Sequence, residues 1–107
     1  MKKKTFVTAA DINFTLHSLA RADQRGLRIP NICYVVQYGV RLHRTGLTFC
    51  FLRSKDIPVE HQHIDALQKL VGTIVLIDEP TQSVITVYKN PQALSTIRRK
   101  TRYYNHS

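Results

Sequence analysis

His17, Arg21 and Arg25 stand four residues apart and run into Gly26. On an α-helix such residues stack on one side, a turn apart. One imidazole and two guanidiniums therefore form a ladder, and Gly26 supplies the stop just beyond it. A group that titrates near neutrality beside two permanent cations suits an RNA phosphodiester. An imidazole with a reference pKa of about 6.5 moves a proton to or from a ribose hydroxyl, and a guanidinium fork braces charge developing on phosphate oxygens. Arg is also a good helix former and is common on solvated faces, so the ladder gains its weight from what accompanies it.

The first companion is Thr86-Val87-Tyr88 near the end of an apolar run. Strand alternation puts Thr86 and Tyr88 on one face, with Ile85 and Val87 on the other. A hydroxyl and a phenol facing the same way offer two donors to a phosphate or a base, although Thr and Tyr also favour strands for packing alone. The second companion is Arg41, His43, Arg44 and Thr45 at a hairpin, where Arg41 and His43 share a strand face and extend a phosphate-binding surface. Lys89 follows Tyr88 directly, and Arg98-Arg99-Lys100-Thr101-Arg102-Tyr103-Tyr104 interleaves cations with aromatics. Cations neutralise phosphates and Tyr stacks on exposed bases. The candidate nucleic-acid contacts are therefore Arg25, Arg41, His43, Arg44, Lys89, Arg98, Arg99, Lys100 and Arg102.

Other chemistries find little support. His61 and His63 flank Gln62, and zinc needs three or four ligands in fixed geometry, which no Cys or carboxylate spacing supplies. No glycine-rich phosphate loop, serine nucleophile motif or paired catalytic carboxylates are present. Neither a metal nor a cofactor is expected. Cys33 and Cys50 sit in apolar surroundings and read as buried thiols.

Charge points to a polyanionic partner. Sixteen Lys and Arg against seven acids give +9 on 107 residues, a strong bias toward nucleic acid or an acidic surface. Residues 1–53 hold nine cations and two acids, 54–88 two cations and five acids, and 89–107 five cations and no acid. The two basic blocks are expected to converge on one face with the acidic middle behind. The lysine-rich N-terminus has no apolar stretch behind it and does not read as a signal peptide. No run approaches a membrane span, so the expected location is the cytoplasm.

The elements that must position these groups follow from periodicity. Asp11 is an expected N-cap for a helix over 12–25, with Leu16, Leu19 and Ala20 as its core stripe. Pro30 or Asn31 opens a second helix whose apolar residues Ile32, Val35 and Val36 lead to Gly39. Val40–His43 and Leu47–Leu52 form a hairpin about Arg44-Thr45-Gly46. Val59–Leu70 has helical spacing at Ile64, Leu67 and Leu70. Thr73–Ile77 reads as a central strand, and Val84–Tyr88 pairs with it. Asn90-Pro91 opens a short basic helix or tail over 91–107. The expectation is one domain over 1–107 with its core at about 11–90, α+β in class, N-terminal helices packed on a small twisted antiparallel sheet.

The segment His17-Ser18-Leu19-Ala20-Arg21-Ala22-Asp23-Gln24-Arg25-Gly26, the Gly39 ending the second helix, and Ile85-Thr86-Val87-Tyr88 resemble a family of small bacterial and phage domains of unknown function. That family is similar to the RelE toxins and the wider barnase, EndoU and colicin RNase group. The likeness runs from about residue 13 to residue 90. It implies a RelE/barnase-like fold and metal-independent RNA cleavage, with the 2′-hydroxyl as nucleophile and a cyclic phosphate product. It implies His17, Arg21, Thr86 and Tyr88 as the catalytic set. The expected partners are RNA, including ribosome-bound RNA, and an acidic antitoxin protein, with no membrane partner. The competing expectation is a non-catalytic RNA-binding or ribosome-associated module of the same fold. A DNA-binding regulator fits less well, because the second helix is too apolar to enter a groove.

Overall fold

The computed structural model describes residues 12–90, and it begins with a short strand where periodicity led us to expect helix. Strand β1, Asn13–Phe14, runs parallel to the last strand, so the sheet is mixed rather than purely antiparallel. Asn13 is held at both its backbone and its side chain, by Gln82 O at 2.7 Å and Thr81 O at 3.0 Å. Helix α1 then spans Leu16–Gln24. Its cap is Thr15, not Asp11, which lies outside the described residues. The Ser18 amide donates to Thr15 Oγ1 and the Thr15 amide to Ser18 Oγ, each at 3.0 Å. This reciprocal capping box satisfies two amides that a helix N-terminus leaves open.

The end of α1 is as the sequence implies. Gly26 has φ +69°, its amide meets Asp23 O at 3.0 Å, and the Leu27 amide reaches back to Ala22 O at 2.8 Å. That paired motif needs a left-handed residue, which glycine takes without a Cβ penalty.

The buried face of α1 is not the expected one. Leu16 is 87 % exposed, Leu19 and Ala20 are also exposed, and the buried residues are Ser18 and Ala22. Thr15 Oγ1 donates to Val84 O at 3.3 Å, which fixes the helix start on the last strand. Small side chains then let α1 lie close against that strand, an approach leucines would prevent.

Helix α2, Ile29–Tyr38, buries Ile32, Val35 and Val36 as its periodicity requires, with Pro30 in the first turn. Gly39 follows with φ −72°, so no left-handed turn demands glycine there. Space does: a Cβ would stand 2.6 Å from Val35 O and 2.9 Å from Phe51 O.

Strands β2 (Val40–Arg44) and β3 (Leu47–Phe51) are joined by Thr45 and Gly46, both at positive φ, the turn whose twist matches a two-residue hairpin. Strands β4 (Thr73–Asp78) and β5 (Ser83–Lys89) complete the order β1-β5-β4-β3-β2, with β4 in the centre. Between β3 and β4 a 3₁₀ turn at Ser54–Asp56 comes first, and the helix expected over Val59–Leu70 is broken into a 3₁₀ turn at Val59–His61 and a single α-turn, α3, at Asp65–Gln68. Side-chain amides interrupt the ladder. Gln62 Nε2 donates to Ile57 O at 2.6 Å, and Gln68 Nε2 to Gln62 O at 3.0 Å.

The two sheet faces are distinct. Cys50, Val75 and Val87, aligned across three strands, point to the main core with Ile32, Val35 and Val36 of α2. Phe51, Ile74 and Tyr88 belong to a smaller cluster on the other face, with Leu42 and Phe49 against it. A bulge in β5 joins the two patterns: Leu76 pairs with Thr86 but Ile77 pairs with Val84, leaving Ile85 over. The extra residue lets Val84 and Val87, three apart, both reach the main core.

Candidate nucleic-acid interface

Helix α1 lies along β5, the strand carrying Thr86 and Tyr88. At roughly 100° per residue, Ala22 sits about 40° to one side of Ser18, while Arg21 sits about 60° and His17 about 100° to the other. Ala22 joins the main core. Arg21 and His17 therefore occupy the outer flank of the α1–β5 contact, away from that core. His17 is exposed, and Arg21 is half-buried with its Nε enclosed and lacking any acceptor. A buried donor without a partner is costly, and an anion is what a guanidinium lacks.

Thr86 and Tyr88 share a face, as alternation implies, because they pair with Leu76 and Ile74. It is the face opposite the main core. Tyr88 packs against the Phe51–Ile74 cluster, and burial pushes its phenol up. Thr86 and Tyr88 thus face away from the main core that Ala22 of α1 joins, and among the described residues they share no hydrogen bond with the His17–Arg21 flank.

The hairpin side chains have hydrogen-bond partners within the protein. Arg41 donates through Nε and Nη2 to Val36 O, at 3.2 and 2.8 Å, placing a cation at the C-terminal end of α2 where the helix dipole favours one. His43 Nδ1 lies 2.6 Å from Glu79 Oε2. The buried Thr48 hydroxyl donates to the same carboxylate and stands 3.0 Å from His43 Nδ1. Hydrogen bonds from His43 and then Thr48 hold Glu79 below the usual carboxylate range. Arg44 Nη1 donates to His43 O at 2.6 Å. Glu79 thus ties the β4–β5 turn to the first hairpin. Both partners of Nδ1 meet on one ring nitrogen, so this trio lacks the two-ended geometry of a nucleophile–base–carboxylate relay.

Two further features were not read from the sequence. Tyr34 OH lies 2.8 Å from His61 Nδ1, and the Tyr34, Tyr38 and His61 rings form a cluster with centroids 4.5–5.8 Å apart. It pins the 54–72 segment to α2. The four-residue spacing of Tyr34 and Tyr38 was the available clue, but nothing local announces His61 as the third ring. The other is Lys69, whose carbonyl accepts from Lys89 Nζ at 2.7 Å. Arg25, Lys69 and Lys89 line a pocket at the end of α1. Arg98, Arg99, Lys100 and Arg102 lie outside the described residues.

Cys50 is buried, and burial pushes its thiol up to about 12. Cys33 is half-buried and its thiol is raised for the same reason. Neither has the lowered pKa of a thiolate nucleophile. Among the described residues no helix is long and apolar enough to cross a membrane. Compared with protein-family models, curated proteins and solved structures, the chain matches none.

Proposed function

We propose that this chain binds and cleaves RNA along the outer flank of the α1–β5 contact, as a metal-independent ribonuclease of RelE/barnase-like type. The observation that carries the reading is Arg21, whose enclosed Nε has no acceptor, one turn from an exposed His17 on the same helix. An RNA phosphate is held by the outer amino groups of the Arg21 guanidinium, whose enclosed Nε finds no carboxylate to neutralise it. The 2′-oxygen attacks phosphorus as the P–O5′ bond breaks. His17 takes the 2′-hydroxyl proton while water protonates the departing 5′-oxygen, and the product ends in a 2′,3′-cyclic phosphate. Arg21 steadies the added negative charge. Thr86 and Tyr88, on the far side of β5, hold the flanking nucleotide. An acidic protein covering this basic flank is the partner such an activity calls for.

A second reading, a non-catalytic RNA-binding module, is favoured by one observation. The His17 ring makes no hydrogen bond among the described residues, whereas a general base is commonly oriented by a third group. The test is incubation with total RNA in EDTA beside a His17→Ala control, with product ends analysed for cyclic phosphate. Cleavage abolished by His17→Ala supports the enzyme. RNA binding without cleavage establishes the module, and no RNA binding removes both.

A further inference from the structure

The pocket at the end of α1 has a volume of about 460 Å³ and lies where five segments meet: the α1 terminus, the start of α2, α3 with its following turn, the start of β4 and the end of β5. We infer that it is a nucleotide subsite, in which Arg25, Lys69 and Lys89 grip a phosphate and the Leu27–Leu70 wall takes the attached sugar or base. The inference rests on the RNA reading above and adds the place where a neighbouring nucleotide sits.

Four observations support it. Every charged group among the lining residues is cationic, although Lys69 comes from the acidic middle of the sequence. Arg25 and Lys89, one residue from each of the two basic blocks, meet here. Lys89 is also pre-positioned: one of its ammonium protons goes to Lys69 O at 2.7 Å, leaving two for a ligand, with less freedom to lose on binding. Asn31 uses its side-chain oxygen to accept from the Arg28 amide at 3.1 Å, so its NH₂ remains a donor at the rim. Finally, the volume exceeds what a lone phosphate needs and falls within the range of small-ligand pockets, about 300–1,000 Å³. Arg25 stands one helical turn beyond Arg21, so the pocket continues the phosphate-binding line begun at His17. A single-stranded backbone tracking the helix meets His17 and Arg21 at one phosphate and the pocket at a later one.

The test combines amide chemical shifts of the full chain with anisotropy of a labelled RNA decamer. Nucleoside 3′-monophosphate and inorganic phosphate are titrated separately. The expected result is that the mononucleotide shifts Gly26, Leu70 and Lys89 amides at lower concentration than phosphate does. The double variant Lys69→Gln/Lys89→Gln is expected to weaken the decamer about tenfold at low salt and to flatten the salt dependence by about 0.7 per lost contact. Lys55→Gln, an exposed lysine outside the pocket, is the control. Lys69 and Lys89 are exposed, and their spectra report folding directly. If the decamer binds the double variant as tightly as the parent, the subsite is refuted while the RNA reading stands. If the mononucleotide shifts the pocket amides but no RNA binds, the pocket stands as a free-nucleotide site and the RNA reading falls. If none of the probes binds, both fall.

Discussion

The first hairpin and the first helix carry the same kinds of residue and put them to opposite uses. At the hairpin, Arg41 serves the last turn of α2, His43 and Thr48 close on Glu79, and Arg44 reaches the His43 carbonyl. Along α1, the side chains of His17 and Arg25 make no hydrogen bond among the described residues, and Arg21 encloses a donor with no acceptor. Two basic, histidine-containing stretches thus differ in where their counter-charges lie. The difference teaches that a cation next to a turn finds carbonyls and carboxylates at hand, whereas a cation on a helix flank facing solvent keeps its valence for a ligand.

The largest expected effect breaks the comparison at the helix. His17→Ala should lower RNA cleavage by roughly 10²-fold or more, the usual scale for a general acid or base, with affinity and melting temperature nearly unchanged. Arg21→Ala should lower both rate and affinity, because a guanidinium holds the ground-state phosphate as well as the transition state. If His43→Ala abolishes cleavage and His17→Ala does not, the roles of the two regions are reversed.

Next comes packing. Gly39→Ala drives a Cβ into two backbone carbonyls at 2.6 and 2.9 Å and should cost about 1–3 kcal/mol or more in denaturant unfolding, the scale of overpacking. Ala22→Leu should cost a similar amount by wedging α1 off β5, and should carry the His17–Arg21 flank with it.

At the hairpin the effects should fall on stability alone. Arg41→Ala should cost about 1–2 kcal/mol for its charge-assisted bonds to Val36 O, without changing RNA affinity. Glu79 adds a pH dependence whose sign is fixed. Its folded pKa lies below the ordinary value of 4.5, so its contribution is present above that value and lost as the pH falls through the folded pKa. Glu79→Gln should flatten the acid limb of stability measured by urea unfolding between pH 3 and 6, on the order of the usual carboxylate range. A variant with an unchanged acid limb would show that the turn-to-hairpin tie contributes nothing to stability.

The smallest expected effect tests the rotation of α1. Leu16→Ser should leave stability within about 0.5 kcal/mol, as exposed substitutions generally do. A loss of several kcal/mol would mean that the leucine face, rather than the Ser18–Ala22 face, is the packed one.

Helix α2 was fully readable because Ile32, Val35 and Val36 are apolar at helical spacing, Pro30 opens the helix and Gly39 closes it. The hairpin was readable from alternation and Thr45-Gly46, and β4 from its unbroken apolar run. Helix α1 was readable in its end but not its beginning or its rotation. Thr15 and Ser18 are as much a capping signature as Asp11, and choosing between them depends on β1 pairing with β5 some seventy residues away in sequence.

What the sequence by itself determined is whatever depends on neighbours in the chain: the period of α2, the alternation of the hairpin strands, the glycine stop at Gly26 and the excess of positive charge. What only the tertiary structure decided is which charges have partners. Glu79 reaches His43 across 36 residues, Lys89 reaches the carbonyl of Lys69 across 20, and Thr15 reaches Val84 across 69. These contacts are set by sheet register and by the docking of α1 on β5. Register is fixed by the summed packing of two faces, a quantity that no single residue's type or spacing contains.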